Sequence, residues 1–482
     1  MSNTLTSVSK NLVHSFSISF VNAILNLSIW VIAPFFISSE NLGVAALLLA
    51  FAMIGTTLIE NSFSSGIMTF NIATVKESLP ILYFNLLTQV IYIIILFLIY
   101  PFGKSLLPFE IISKFDVILI FTIPLLASFI TIYENLNKTK TNFKFISKIE
   151  AISGVFSFVS FIFLLQNKKD YSPLLIGVVI KYVITLILYV LLHREHKQKT
   201  DTIQIKSKLL FWFGLYILGE KTLTVLASYL DTFLVAQFSG LKSLGVYELF
   251  KKIIVRPIII ITNAFENMAM PYLVMHKNNT KEYNQFYQSY ISFLLLVCFC
   301  FFALLVISIP IILHLLPTEY TSYIDTFYLL ILYSATILML NPIDLLLYSI
   351  GKSKIFFFWN ISYFLPLVFT LYYAAHFGLN HIIFTYCLMY LLLLFLAESF
   401  VLNKNHNVLT KGTFLSLNLR PVIIFVLSLG ISLLVNLYLN QNIFLSFVIS
   451  SIIFLTVFSS FILAEKQMLL QIKSKFFINN TK

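Results

Sequence analysis

The sequence predicts an all-α polytopic membrane protein of about fourteen transmembrane helices, arranged as two pseudo-symmetric six-helix bundles plus two C-terminal helices. Hydrophobic residues make up 59% of the 482-residue chain and charged residues only 11%, with a mean hydropathy of +0.92, a composition far from that of soluble domains. Apolar runs of about 20 residues, enough to cross a bilayer as helix, recur along the whole chain. Its basic residues gather in alternate connections, as the positive-inside bias requires.

Taken in order, residues 1–10 hold Lys10 as their one charge. The apolar run that follows exceeds a signal h-region and lacks a convincing cleavage site, so the first span is expected to be retained. Spans are predicted near 12–37, 42–70, 80–101, 116–134, 146–165, 172–192, 209–238, 244–274, 287–316, 323–350, 355–375, 380–402, 420–439 and 442–464. An even number puts both termini on one side. That side carries about 22 Lys and Arg residues against 5 in the opposite loops (Lys104, Lys114, Lys168, Lys169 and Lys242), which makes both termini cytoplasmic. The longest opposite loop, 102–115, is too short for a catalytic domain.

The chain repeats itself weakly. Asn137-Lys138-Thr139-Lys140 after the fourth span corresponds to Gly351-Lys352-Ser353-Lys354 after the tenth; Leu42-Gly43-Val44 opens the second span as Leu244-Gly245-Val246 opens the eighth; Glu60-Asn61 reappears as Glu266-Asn267. The shared order implies two six-helix halves of parallel orientation. The predicted organisation is an N-terminal lobe over 1–192, a basic cytoplasmic linker over 193–208 (HREHKQKTDTIQIKSK), a C-terminal lobe over 209–402, and two further spans with a cytoplasmic tail over 403–482. Almost no charge is embedded in the last two spans, which suits a lipid-facing position.

The eighth span carries charges that hydrocarbon rejects. At about 100° per residue, Glu248, Lys252, Arg256, Asn263, Glu266 and Asn267 fall within an arc of roughly 100°, with Lys251 just outside it. A central Arg or Lys costs about 2.5–3.5 kcal/mol even on the lower scales, so this face requires either a polar lumen or paired partners. Arg256 lies near the bilayer midplane, and Pro257 beside it can kink the helix. The seventh span places Glu220, Thr224 and Asp231 on one face with Lys221 adjacent, and Lys181 sits midway along the sixth. Asp231 lies at the depth of Lys251 and Lys252, giving a salt bridge that is either structural or opens during a conformational cycle. Ser15, Ser19, Asn22 and Asn26 line one face of the first span, and Thr57, Glu60, Asn61 and Ser64 stand on the second. Such stripes serve either as packing glue or as the wall of a cleft. Glu60 and Glu266 are the candidates for proton or sodium coupling, whereas Glu134, Glu150, Asp325, Asp344 and Glu398 are expected to be exposed near helix ends.

No P-loop, nucleophile elbow or zinc motif is present, so neither an enzyme nor a cofactor is expected. Cys298, Cys300 and Cys387 sit in apolar runs as packing residues, and His193, His196, His276, His376, His381 and His406 lack metal-site spacing. The net charge of +12 lies in helix connections, which argues against nucleic acid as a partner.

The stretch SYLDTFLVAQFSGLKSLGVYELFKKIIVRPI, with Asp231 followed after a short turn by Gly245 and Tyr247, resembles the multidrug/oligosaccharidyl-lipid/polysaccharide exporter superfamily, as does the Gly-Lys-Ser-Lys segment at 351–354. Within it the chain is most similar to O-antigen and capsular repeat-unit flippases of the Wzx type. The resemblance implies a bacterial inner-membrane flippase moving undecaprenyl-diphosphate-linked oligosaccharide by alternating access, with a polysaccharide polymerase and a chain-length regulator as further partners besides membrane lipids. On that reading Arg256, Lys252, Lys251, Lys221 and Lys181 attract the diphosphate, Asn22, Asn26, Asn263 and Tyr247 contact sugars, and Glu60, Glu266, Asp231, Glu220 and Glu248 serve ion coupling or gating. A multidrug or cation antiporter of the same superfamily and a lipid II flippase are the rivals. A polymerase or ligase would need a sizeable outer loop.

Overall fold

A computed structural model of the chain describes residues 21–22, 24–60, 62–70, 72, 74–103, 113–140, 142–193, 207–277, 279–351, 353–398, 413–439 and 443–464. With no water to satisfy peptide groups in hydrocarbon, long apolar segments close their hydrogen bonds as helices. These are α1 (Ile24–Phe35), α2 (Ser39–Glu60), α3 (Leu79–Gly103), α4 (Lys114–Thr139), α5 (Phe143–Asn167), α6 (Ser172–Leu192), α7 (Ser207–Phe238), α8 (Gly240–His276), α9 (Thr280–Leu315), α10 (Ile324–Ser349), α11 (Ser353–Ala375), α12 (Leu379–Leu396), α13 (Thr413–Leu439) and α14 (Ile443–Ala464). Each lies on one of the predicted spans. Among the described residues nine segments are long and apolar enough to cross a membrane, and α1 and parts of α13 and α14 form shorter apolar helices. The protein is a multi-pass membrane protein. At 37 residues α8 is the longest helix among the described residues, about 55 Å at the α-helical rise.

The predicted second span, 42–70, is not one helix. It stops at Glu60, turns through a 3₁₀ segment at Phe63–Ser65 and resumes for four residues at Gly66–Thr69. Polar side chains receive the break: Asn85 donates to Ser64 Oγ at 2.9 Å, Ser64 Oγ reaches the Ile59 carbonyl at 3.1 Å and Thr131 Oγ1 at 3.2 Å, and Asn135 donates to the Ser64 carbonyl at 3.2 Å. Broken helix in a membrane persists only where neighbours satisfy the freed groups.

The described residues form two compact units, Met1–Leu249 and Phe250–Lys482. In the first, α2 packs against α3, α4, α6 and α7, and α6 packs against α4 and α5. Ile54, Leu58, Tyr92 and Val225 make one core cluster, and Phe63, Ile67, Ile81, Ile132, Leu136 and Leu210 another. At one end of this unit Ser113 and Asp116 cap α4 reciprocally, and Tyr171 ahead of α6 donates to Asp116 Oδ2 at 2.8 Å. Burial and that hydrogen bond push Tyr171 up to about 12. In the second unit α12 packs against α10 and α11, and α13 and α14 pack on α9 through Leu296, Ala303, Ile307, Phe454 and Phe458. The pairing of α6 with α4 and α5 thus recurs six helices later.

The two copies of the Leu-Gly-Val motif meet. A Cβ on Gly245 would lie 1.8 Å from the Ser39 carbonyl oxygen, and one on Gly43 would lie 1.9 Å from that of Leu241. Backbone touches backbone where α2 and α8 begin, a spacing that any side chain would wedge apart. Gly240, at φ +83°, opens α8 immediately after α7. Gly245→Ala and Gly43→Ala should each lower stability by about 1–3 kcal/mol through overpacking. Gly219→Ala, whose Cβ meets nothing within 4 Å, should leave stability unchanged or raise it. Thermal unfolding of the purified variants in detergent checks both.

Candidate functional site

The first cluster lies at the junction of α7 and α8. Both Asp231 and Thr232 are 1% exposed, Tyr247 is fully buried and Glu248 is buried. Tyr247 donates to Asp231 Oδ2 at 2.5 Å, the Thr232 amide donates to Asp231 Oδ1 at 2.8 Å, and the Thr232 hydroxyl donates to Glu248 Oε1 at 2.8 Å. The Asp231…Gly245-Xaa-Tyr247 pattern is therefore one physical unit. Gly245 lets α8 approach α2, and Tyr247, two residues on, ties α8 to α7. The hydroxyl of Tyr247 faces this network and not a solvent-filled space, and Glu248 lies on the same buried side.

A second cluster surrounds the end of α2. Glu60 is exposed where the helix breaks, within electrostatic reach of Glu134 and Lys138 on α4, Lys181 on α6 and Glu150 on α5. Lys138 pairs with Glu134 at 2.6 Å one turn away, and Lys181 faces both Glu150 and Glu60. Three carboxylates and two ammonium groups thus share one polar region, so Lys181 has its counter-charges close by. Glu134 and Glu150 are half-buried here instead of exposed at helix ends. Thr57 bonds back to the Met53 carbonyl at 2.8 Å and Ser64 holds the helix break, so both act within the packing. Asn61, Ser15 and Ser19 lie outside the described residues.

Ahead of α1, the Asn22 amide oxygen packs so tightly against Gly154 of α5 that a Cβ there would sit 2.4 Å from it. Asn26 is exposed and lines a small cleft with Trp30, Ser157 and Gly177. Lys221 on α7 is half-buried, and the side chains of Glu220 and Asn267 lie outside the described ones.

In the second unit α8 is two-faced. Ile254, Ile258, Thr262, Ala269 and Leu273 are buried, whereas Arg256 and Asn263 are exposed on another face. Lys251, Lys252 and Glu266 are half-buried. The structure thus places Arg256 and Asn263 seven residues apart on one accessible stripe of α8, a helix that is not among the nine segments apolar enough to cross a membrane. Asp344, expected near an exposed end, is half-buried inside α10 two residues after Pro342; the periodicity of an apolar helix gives no sign of which single carboxylate turns inward. Cys298 and Cys387 are buried, Cys300 is half-buried, and all three are free. Among the described residues no group of three His, Cys, Asp or Glu side chains could hold a metal ion.

A family model described as "Polysaccharide biosynthesis protein" matches residues 34–325. The teichuronic acid biosynthesis protein TuaB of Bacillus subtilis is 20% identical over 319 residues, 63% of each chain, and the amylovoran biosynthesis protein AmsL of Erwinia amylovora is 25% identical over 31% of this chain and 39% of its own. The chain therefore spans less than two thirds of the length of these relatives. Among solved structures, the lipid II flippase MurJ in an inward closed conformation superposes with a TM-score of 0.67 at 15% identity, covering 93% of this chain and 99% of that one. An inward-facing multidrug resistance MATE family transporter of the MOP superfamily superposes at 0.57 and 13% identity, covering 86% and 98%. At these identities the likeness is one of fold.

Tyr247→Phe leaves the buried Asp231 carboxylate short of its closest donor and should cost about 1–3 kcal/mol. Arg256→Ala removes an exposed side chain and should shift stability by no more than about 0.5 kcal/mol. Thermal unfolding of both variants in one detergent separates the structural residue from the accessible one.

Proposed function

This chain belongs to the polysaccharide biosynthesis protein family of the multidrug/oligosaccharidyl-lipid/polysaccharide exporter superfamily, and from that membership we propose that it is a flippase moving undecaprenyl-diphosphate-linked oligosaccharide, an O-antigen or capsule repeat unit, across a bacterial inner membrane. The family is one of transporters, not of enzymes. The observation that carries the reading is Arg256, a permanently charged guanidinium exposed near the middle of α8, a helix whose other face is buried and which this reading takes as one of the membrane crossings. A cation kept there has a use, and a diphosphate is the group for which a guanidinium fork is best shaped. Asn263, on the same stripe, offers amide donors and acceptors to sugar hydroxyls, with Lys252 and Lys251 one turn before Arg256 adding positive charge.

Transport by alternating access needs two halves that move as bodies. The Leu-Gly-Val and Lys-rich repeats, and the recurrence of the α6 pairings as α12 pairings, support two six-helix lobes followed by α13 and α14. The excess of Lys and Arg in alternate connections supports fourteen crossings with both termini cytoplasmic. A cationic drug would favour an acidic face, whereas Arg256, Lys251 and Lys252 make this stretch of α8 basic. A lipid II flippase would need the same diphosphate chemistry, and the polysaccharide biosynthesis family favours a surface glycan over peptidoglycan.

Deletion of the gene in its host should abolish surface polysaccharide and leave undecaprenyl-diphosphate oligosaccharide in the cytoplasmic leaflet. Wild type should restore export and Arg256→Ala should restore it poorly, about tenfold or more below wild type if one charge-assisted phosphate contact is lost. Arg256→Lys should fall between, since it keeps the charge and loses the fork. Normal surface glycan with raised sensitivity to cationic dyes would instead support the drug antiporter.

A further inference from the structure

α5 turns its faces the opposite way from a helix of a soluble protein. Its small and polar residues point inward: Ser153, Gly154 and Ser157 are buried, and Ser157 Oγ donates to the Gly177 carbonyl of α6 at 2.8 Å. Its exposed face consists of Lys144 and Lys148 followed by Ile152, Val155, Val159 and Phe163, with the apolar members ranging from 42% exposed at Ile152 to 64% at Phe163. At about 100° per residue these six fall within an arc of roughly 100°. They form one continuous stripe along a helix long and apolar enough to cross a membrane.

Nothing within the described chain uses the two lysines. Neither makes an ion pair among the described residues. The one carboxylate of α5, Glu150, lies outside this arc and is half-buried. Lys144, in the opening turn, also opposes the helix macrodipole, so the helix itself gains nothing from its charge. The apolar part of the stripe, from Ile152 to Phe163, is about 16 Å long, roughly one leaflet of a hydrocarbon core about 30 Å thick. A lysine one turn before it lays its methylene stem along the stripe and holds its ammonium at headgroup level. Cations set directly at the end of a hydrocarbon strip complement a molecule with an anionic head and an acyl tail. An acidic protein segment would match the charges alone and leave the strip uncovered.

We propose that this stripe of α5 is a docking site for an anionic phospholipid of the leaflet at the start of the helix, with Lys144 and Lys148 on its phosphate and Ile152, Val155 and Val159 along its acyl chain. In the orientation proposed above, that leaflet is the cytoplasmic one. The site requires α5 to cross the membrane and requires nothing of a transported glycan, so it and the flippase reading fail separately.

The purified full-length protein in a neutral detergent would be titrated with phosphatidylglycerol, phosphatidylcholine, glycerol phosphate or inorganic phosphate, with Tm as the readout. Phosphatidylglycerol should raise Tm saturably and above phosphatidylcholine, and the two phosphates without acyl chains should not raise it. Replacing both lysines, Lys144→Gln with Lys148→Gln, should increase the half-saturating concentration of phosphatidylglycerol by about tenfold or more. Lys168→Gln with Lys169→Gln removes the same charge at the other end of α5, where both lysines are exposed, and should leave it unchanged. If the first double variant does not fold, a photoreactive phosphatidylglycerol on the wild type gives the reading: label on the 144–163 peptide supports the site, and label confined to other helices overturns it. Equal Tm with phosphatidylglycerol and phosphatidylcholine, a rise matched by inorganic phosphate alone, or an equal loss in both double variants would also overturn it.

Discussion

A polar group in hydrocarbon has no water to turn to, and the positions of α2, α7 and α8 follow from that constraint. α2 can stop at Glu60 because Asn85, Thr131 and Asn135 receive the chain at Ser64. The start of α8 is held by Tyr247 on Asp231 and by Thr232 on Glu248, and these bonds form only because two glycines let backbone approach backbone alongside. Packing and polar satisfaction are one device at this junction. Moving α8 outward by one methyl group would strain the same contacts that neutralise two buried carboxylates.

Polar residues in membrane helices therefore fall into two kinds. Thr57, Ser64 and Tyr247 end their valences inside the protein, on carbonyls or on other side chains. Arg256, Asn263 and Glu60 do not lie in the packed interior and are accessible. A residue of the first kind explains why the chain folds in lipid, and one of the second is available to something that comes and goes. Tyr290 is intermediate, since it is buried in the second unit but its hydroxyl has no hydrogen-bond partner among the described residues.

Most of the helical architecture was legible in the sequence, because a run of about 20 apolar residues has few other fates. The described helices lie on the predicted spans, while the Leu-Gly-Val repeat implies two halves and does not by itself say that its two copies touch. The break after Glu60 was not legible, since Asn-Ser-Phe-Ser-Ser reads as tolerable helix and the residues that stabilise the break come from α3 and α4. The family resemblance assigns Tyr247 to sugar contact, whereas its hydroxyl donates to Asp231 in the α7 contact. Glu134, Glu150 and Asp344 are expected to be exposed from their place near helix ends, yet all three are half-buried, because neighbouring helices pack alongside those ends. One-dimensional periodicity gives the face of a helix; which faces meet is decided by partners far along the chain.

The central claim, that an accessible cationic stripe on α8 serves a lipid-linked diphosphate, is tested most directly by reconstitution. Purified protein would be placed in liposomes bearing a short-chain fluorescent polyprenyl-diphosphate oligosaccharide, and exchange between leaflets followed with a membrane-impermeant quencher. Protein-dependent exchange that a free diphosphate slows and Arg256→Ala diminishes is the predicted result. Liposomes in which the glycolipid stays in its leaflet, while an imposed ion gradient drives uptake of a cationic dye, would contradict it.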